Sequence, residues 1–120
     1  MTTVLVIEDN EKNMYLISFI LKGEGFNVIG AVTGEEGVEK AVKEHPDLIL
    51  MDIQLPGIDG YETTRRIRAS SSDEKVPIIA LTSYAMTGDR ERALAAGCTG
   101  YVEKPINPDT IMDEIRKYLQ

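Results

Sequence analysis

Three acids stand where apolar runs end: Glu8 and Asp9 directly follow Val4-Leu5-Val6-Ile7, and Asp52 directly follows Leu48-Ile49-Leu50-Met51. Parallel strands in α/β folds gather binding and chemistry at their carboxyl ends, so this spacing points to one acidic crevice. Two carboxylates about 5 Å apart at an effective dielectric of about 20 repel by roughly 3 kcal/mol. Three together require that one be protonated or that a hard cation neutralise them, and an all-oxygen site with few protein ligands suits Mg²⁺. Lys104 offsets one charge, which favours a divalent ion. A metal beside an ionised Asp can bring a phosphoryl group into line with that carboxylate, and Asp is a competent nucleophile for an acyl phosphate. Asp52, between the other strand ends, is the candidate attacker. Phosphoryl transfer depends on positioning and charge neutralisation, for which the Thr82 hydroxyl and the Lys104 ammonium are candidates.

The elements that must position these groups alternate regularly. Short strands are expected at about Thr3 to Ile7, Asn27 to Ala31, Leu48 to Met51, Ile78 to Leu81 and Gly100 to Val102. The first, third and fourth are continuously apolar, as strands covered on both faces must be; the second and fifth are more mixed and should be the edges. Between them the period changes to that of helices. The first helix runs from about Glu11 to Lys22 with Met14, Ile17 and Leu21 on one stripe, and ends near Gly23 and Gly25. Thr33 and Glu36 form a capping box for the second, whose Val38, Ala41 and Val42 face inward. Asp59 caps the third, which reaches about Ala69; the fourth spans about Gly88 to Ala96. The last opens at Asn107 with Pro108 in its first turn and buries Ile111, Ile115 and Leu119. Alternating strands and helices predict a parallel sheet wrapped on two faces. An edge-core-core-core-edge pattern with right-handed crossovers is met by strand order 2-1-3-4-5.

The 120 residues suit one compact domain. Twenty acidic residues against thirteen basic ones argue against a nucleic-acid surface and a polybasic membrane patch. Cys98 is the single cysteine, so no internal disulfide forms and a reducing cytoplasm is the expected compartment; beside Gly97 it reads as a loop or strand-edge thiol. No leader, anchor motif or membrane-length apolar run is evident, and Ser70-Ser71-Ser72-Asp73 reads as a solvated loop. His45 is expected to be exposed before Pro46, Met51 and Met86 to be packing residues, and the charged run Asp89 to Arg92 to be a solvated helical face.

As a set, these motifs resemble the receiver domain of two-component response regulators over essentially the whole chain. Glu8-Asp9-Asn10 resembles the family's acidic pair, and Leu48 to Gly60 its phosphoacceptor strand and turn. Ile79-Ala80-Leu81-Thr82-Ser83 resembles the switch-hydroxyl strand and Gly100-Tyr101-Val102-Glu103-Lys104-Pro105 the lysine segment. The resemblance implies a flavodoxin-like (βα)5 three-layer sandwich and a single receiver domain over residues 1–120, without an output domain. It implies Asp52 as acceptor of phosphoryl from a histidine kinase or histidine phosphotransfer protein. Glu8, Asp9, Asp52 and the backbone carbonyl of Gln54 are the implied Mg²⁺ ligands, with Glu8, longer than the usual Asp, reaching the metal through water. Thr82 would bind the phosphoryl group, Tyr101 would follow it inward, Lys104 would pair with a phosphoryl oxygen, and the Lys104–Pro105 bond would be cis. Output to a downstream protein would pass through the fourth helix, fifth strand and fifth helix.

Other readings fit less well. The stretch Tyr84-Ala85-Met86 also resembles receivers of hybrid histidine kinases, which makes an excised receiver the variant reading. An Asp-nucleophile phosphatase or phosphomutase would want an acid two residues after the nucleophile, where Gln54 stands. A flavin mononucleotide binder would want a Ser/Thr/Gly-rich loop after the first strand, where Glu8-Asp9-Asn10 would repel a phosphate. Tyr84, two residues after Thr82, is bulky enough to hinder the water that removes the phosphoryl group, so slow self-dephosphorylation is expected. Tyr84→Ala should shorten the phosphorylated lifetime, and an unchanged lifetime would sink the idea.

Overall fold

The computed structural model describes residues 2–70, 76–83 and 88–119. It contains β1 (Thr3–Ile7), α1 (Glu11–Gly23), β2 (Asn27–Ala31), α2 (Gly34–Glu44), β3 (Leu48–Asp52), α3 (Gly60–Ser70), β4 (Ile78–Thr82), α4 (Asp89–Ala96), β5 (Gly100–Glu103) and α5 (Pro108–Tyr118). The strands pair in parallel in the order β2-β1-β3-β4-β5, as expected. Tyr84, Met86 and most of the serine-rich loop lie outside the described residues. Among those described, no helix is long and apolar enough to cross a membrane.

Alternation along the central strands divides the interior into two cores. Leu5, Ile7, Ile49, Met51, Ile78 and Ala80 face α2, α3 and α4, where Ala41, Tyr61, Ile67, Ala93 and Ala96 complete one cluster. Their sequence neighbours Val4, Val6, Leu48, Leu50, Ile79 and Leu81 face α1 and α5, meeting Ile17, Leu21, Ile111 and Ile115. Each fully buried Leu or Ile contributes about 1.5–3 kcal/mol, so a one-residue slip of a central strand would exchange two packed faces at once. The register that carries the site is therefore strongly specified.

Short polar side chains set where the helices begin. Asn10 Oδ1 accepts from Asn13 N at 3.0 Å, Asp59 Oδ1 from Glu62 N at 2.9 Å, and Asn107 Oδ1 from Asp109 N and Thr110 N at 2.9 and 3.2 Å. At α2 the Thr33 hydroxyl accepts from Glu36 N, 3.1 Å, but Glu36 Oε1 reaches Val32 N, 2.7 Å, one residue before the cap. Val42 is a second departure: it is 39% exposed. The buried stripe of α2 is Gly34, Gly37 and Ala41, and the absent Gly37 side chain leaves room for that of Ile7. Val42 lies about 100° further round the helix from Ala41 and so faces outward. Cys98 lies in the loop before β5, as expected, and is buried, with its sulfur 3.6 Å from Thr64 Oγ1.

Helix α3 starts against the end of β3. Gly60 N donates to Ile53 O at 2.9 Å, and a Cβ at Gly60 would lie 2.5 Å from both Asp52 O and Ile53 Cα. Backbone atoms cannot yield as a flexible side chain can. Gly60→Ala should lose about 1–3 kcal/mol in urea unfolding, and an unchanged unfolding midpoint would contradict this close approach.

Candidate functional site

The β1–β3 neighbours bring their carboxyl ends side by side, with Ile7 opposite Met51. The next residues are Glu8 and Asp52, which are 1% and 2% exposed, whereas Asp9 is exposed at the crevice mouth. Carboxylate oxygens of Glu8, Asp9 and Asp52 lie within 4.8 Å of one another. At the end of β4, Thr82 is 2% exposed, and its carbonyl accepts from Lys104 N at 2.7 Å. That bond ties the segment after β5 to the crevice. The Lys104–Pro105 peptide is cis.

Lys104 closes the arrangement. Its ammonium lies 3.0 Å from Glu8 Oε1 and 3.1 Å from Asp52 Oδ1, with its side chain 11% exposed. Asp52 Oδ1 also accepts from Gln54 N at 3.1 Å, and Glu8 Oε2 accepts from Asn10 N at 3.1 Å. Both Glu8 oxygens are thus engaged by the protein. Asn10 serves twice, capping α1 with its side chain and holding Glu8 with its amide, a role its place after the acidic pair did not reveal. Gln54 sits in the loop after β3 with its side chain exposed.

The crevice carries more negative charge than Lys104 balances. Burial, followed by a hydrogen bond with the Asp52 carboxyl, pushes Glu8 up to about 7 despite the opposing Asn10 and Lys104 contacts. For Lys104, burial alone would lower the pKa, but bonding to Glu8 and the charge of Asp52 outweigh it and raise the value. Tyr101, half-buried on β5, is raised by burial and then by the negative charge of Asp89; its phenol is hydrogen-bonded with Thr82. Every candidate residue on the strand ends therefore converges on one crevice, and Tyr101 joins it through Thr82. The charged run of α4 is not wholly solvated, because the Arg92 guanidinium carbon lies 4.4 Å from the centre of the buried Tyr61 ring. No sequence period marks that contact.

The raised Glu8 value has a thermodynamic consequence. An unfolded Glu releases its proton near 4.5, whereas the folded, metal-free protein retains it to about 7. The folded state then binds more protons across that window, so this group stabilises the fold fully below 4.5 and loses its contribution as pH rises through 7. Glu8→Gln removes the titration, so in chelator its urea midpoint should fall less across this window than that of wild type. Parallel profiles would contradict the assignment.

The response regulator receiver domain family matches residues 4–116. The polar-differentiation response regulator DivK of Brucella ovis is 40% identical over 117 residues, spanning 98% of this chain and 95% of that protein. The receiver domain of sensor histidine kinase PA1611 from Pseudomonas aeruginosa PAO1, solved with a magnesium ion coordinated in its active site cleft, is 38% identical. It superposes with a TM-score of 0.91 over 98% of this chain and 97% of that one. Chemotaxis protein CheY4 of Vibrio cholerae is 30% identical, with a TM-score of 0.94 and 99% of each chain covered. With the family match covering nearly the full length and the three-acid crevice at its switch point, this chain belongs to the receiver domains of two-component response regulators.

Proposed function

We propose that the chain is a phosphoacceptor of a two-component phosphorelay, in which Asp52 takes a phosphoryl group from a phosphohistidine donor and the modified domain changes its contacts with a downstream protein. The buried Asp52 carboxylate held by Lys104 between two further acids is the observation that carries this reading. We read residues 1–120 as a single receiver domain working in the cytoplasm. Its donor is a histidine kinase or histidine phosphotransfer protein. The likeness to the PA1611 receiver supports a second placement, inside a hybrid histidine kinase, with the same chemistry.

The donor set fits a hard divalent cation. Three carboxylates within 4.8 Å need more positive charge than one ammonium provides, and all their donor atoms are oxygen. Glu8, Asp9, Asp52 and the backbone carbonyl of Gln54 would hold Mg²⁺. Because both Glu8 oxygens already have protein partners, Glu8 fits a water-mediated arm. When bound, the ion supplies neutralising charge for phosphoryl oxygens.

Asp52 attacks phosphorus through a carboxylate oxygen as the phosphorus–nitrogen bond of phosphohistidine breaks, and the electron pair returns to the imidazole. The product is an acyl phosphate. Lys104, already 3.1 Å from Asp52 Oδ1, would shift to a phosphoryl oxygen, and the Thr82 hydroxyl would donate to another. Water later attacks phosphorus and regenerates the carboxylate, a slow release rather than enzymatic turnover. A phosphoryl group that binds Thr82 and Lys104 better in one conformation shifts the population toward it. Tyr101 would carry that shift to the groove between α4, β5 and α5, a cavity of about 450 Å³ bordered by Arg90, Tyr101, Glu103 and Lys117.

Incubation with Mg²⁺ and acetyl phosphate, followed by intact mass, tests the reading. Wild type should gain one phosphoryl group and Asp52→Asn none; equal gain in both would reject Asp52 as acceptor. Asp9→Asn should weaken Mg²⁺ binding by about tenfold, or 1.4 kcal/mol, and an unchanged affinity would count against the metal set.

A further inference from the structure

Helix α4 is thinly anchored. Its 8 residues bury just Ala93 and Ala96, and its N-cap is Gly88 in the left-handed region without a side-chain cap bond. Leu94 faces outward. Two alanines remove little apolar surface from water, so polar and cationic contacts carry much of the helix's attachment. Two arginines supply such contacts. At the C-terminal end, Arg68 of α3 donates from Nε and Nη2 to Gly97 O at 3.0 and 2.9 Å, and from Nη2 to Thr99 Oγ1 at 3.3 Å. In the N-terminal half, Arg92 lies over the Tyr61 ring at 4.4 Å, within cation–π range. Tyr61 is a buried member of the α3-side core and so forms a fixed platform, whereas Arg92 is exposed. The two pins are separated by about 7.5 Å along the helix axis. Both attach α4 to α3.

Tyr101 lies beside the N-terminal pin. It packs against the cluster that contains Tyr61 and Ala93, bonds with Thr82, and feels the charge of Asp89. Asp89 precedes Arg92 by three residues, so both project near one side of the helix. Releasing Arg92 from Tyr61 would let the first turns of α4 pivot about the Arg68 pin, changing the space that Tyr101 occupies.

We infer that Arg92 is a positioning residue for phosphoryl capture: stacked on Tyr61, it holds the start of α4 against α3 and so keeps Tyr101 against Thr82. The inference rests on the roles proposed above for Asp52 and Thr82. A contact in the cation–π range biases a two-state equilibrium by roughly threefold to tenfold.

The test uses 3-fluorotyrosine-labelled wild type, Arg92→Gln, Arg92→Lys and Arg66→Gln, incubated with Mg²⁺ and acetyl phosphate. The phosphorylated fraction is read by intact mass, and the Tyr101 fluorine resonance, assigned with Tyr101→Phe, is read before and after. Arg92→Gln should lower the ratio of phosphorylated to free protein about threefold or more and move the Tyr101 resonance of the free protein. Arg92→Lys, which keeps the cation, should restore part of both, and Arg66→Gln, on the exposed face of α3, should change neither. A wild-type ratio and resonance in Arg92→Gln would overturn the inference, as would a lowered ratio with an unmoved resonance or a Lys variant no better than Gln. Asp52→Asn separates the two layers of the account. If wild type gains no phosphoryl group, or gains it equally without Asp52, the acceptor reading fails while the resonance still decides Arg92; modification at Asp52 that is indifferent to Arg92 sinks this inference alone.

Discussion

The Lys104 ammonium between the Glu8 and Asp52 carboxylates is the interaction on which the rest of the structure turns. Burying a carboxylate is costly unless it is paired, and here two are buried at adjacent strand ends with a third at the mouth. One ammonium does not balance them. Burial first, and the hydrogen bond with the Asp52 carboxyl second, hold the Glu8 proton up to about 7. The same ammonium touches the candidate acceptor, so charge balance and chemistry share one atom.

Everything larger in the fold keeps those groups in register. The two apolar faces of β1, β3 and β4 fix which residue stands at each strand end, and the Lys104 N to Thr82 O bond, 2.7 Å, draws the β5 exit toward the crevice. Gly60 permits α3 to begin against the Asp52 carbonyl itself. The sheet side of the site is thus rigidly built. Its α4 side is lighter, with Ala93 and Ala96 the buried residues of the helix and arginine contacts to α3 among its attachments, and a lightly held element is where a small free-energy change can alter a population.

Glu8, Asp9, Asp52, Thr82 and Lys104 were legible in the sequence because a strand's end is marked by an abrupt change from apolar to polar residues, and parallel topology then aligns the ends. Helix starts were equally legible at Thr33, Asp59 and Asn107, where a short side chain caps over a span of two or three residues. Contacts made by long side chains across elements were not. Arg92 on Tyr61 and Arg68 on Gly97 depend on how helices sit together, and each arginine reads equally well in sequence as a solvated charge. Val42 failed for a related reason: the glycines of α2 bring one narrow stripe close to the sheet and rotate its neighbour outward. The excess charge of the crevice is a property of this chain's own residues.

A divalent cation bound in the crevice should displace the proton that burial holds on Glu8. Calorimetric titration of Mg²⁺ at neutral pH in two buffers of different ionisation enthalpy measures the protons released per ion bound. Binding should release protons in wild type, and Glu8→Gln should largely abolish that release. Binding without proton release in wild type, or the same release in both proteins, would contradict it.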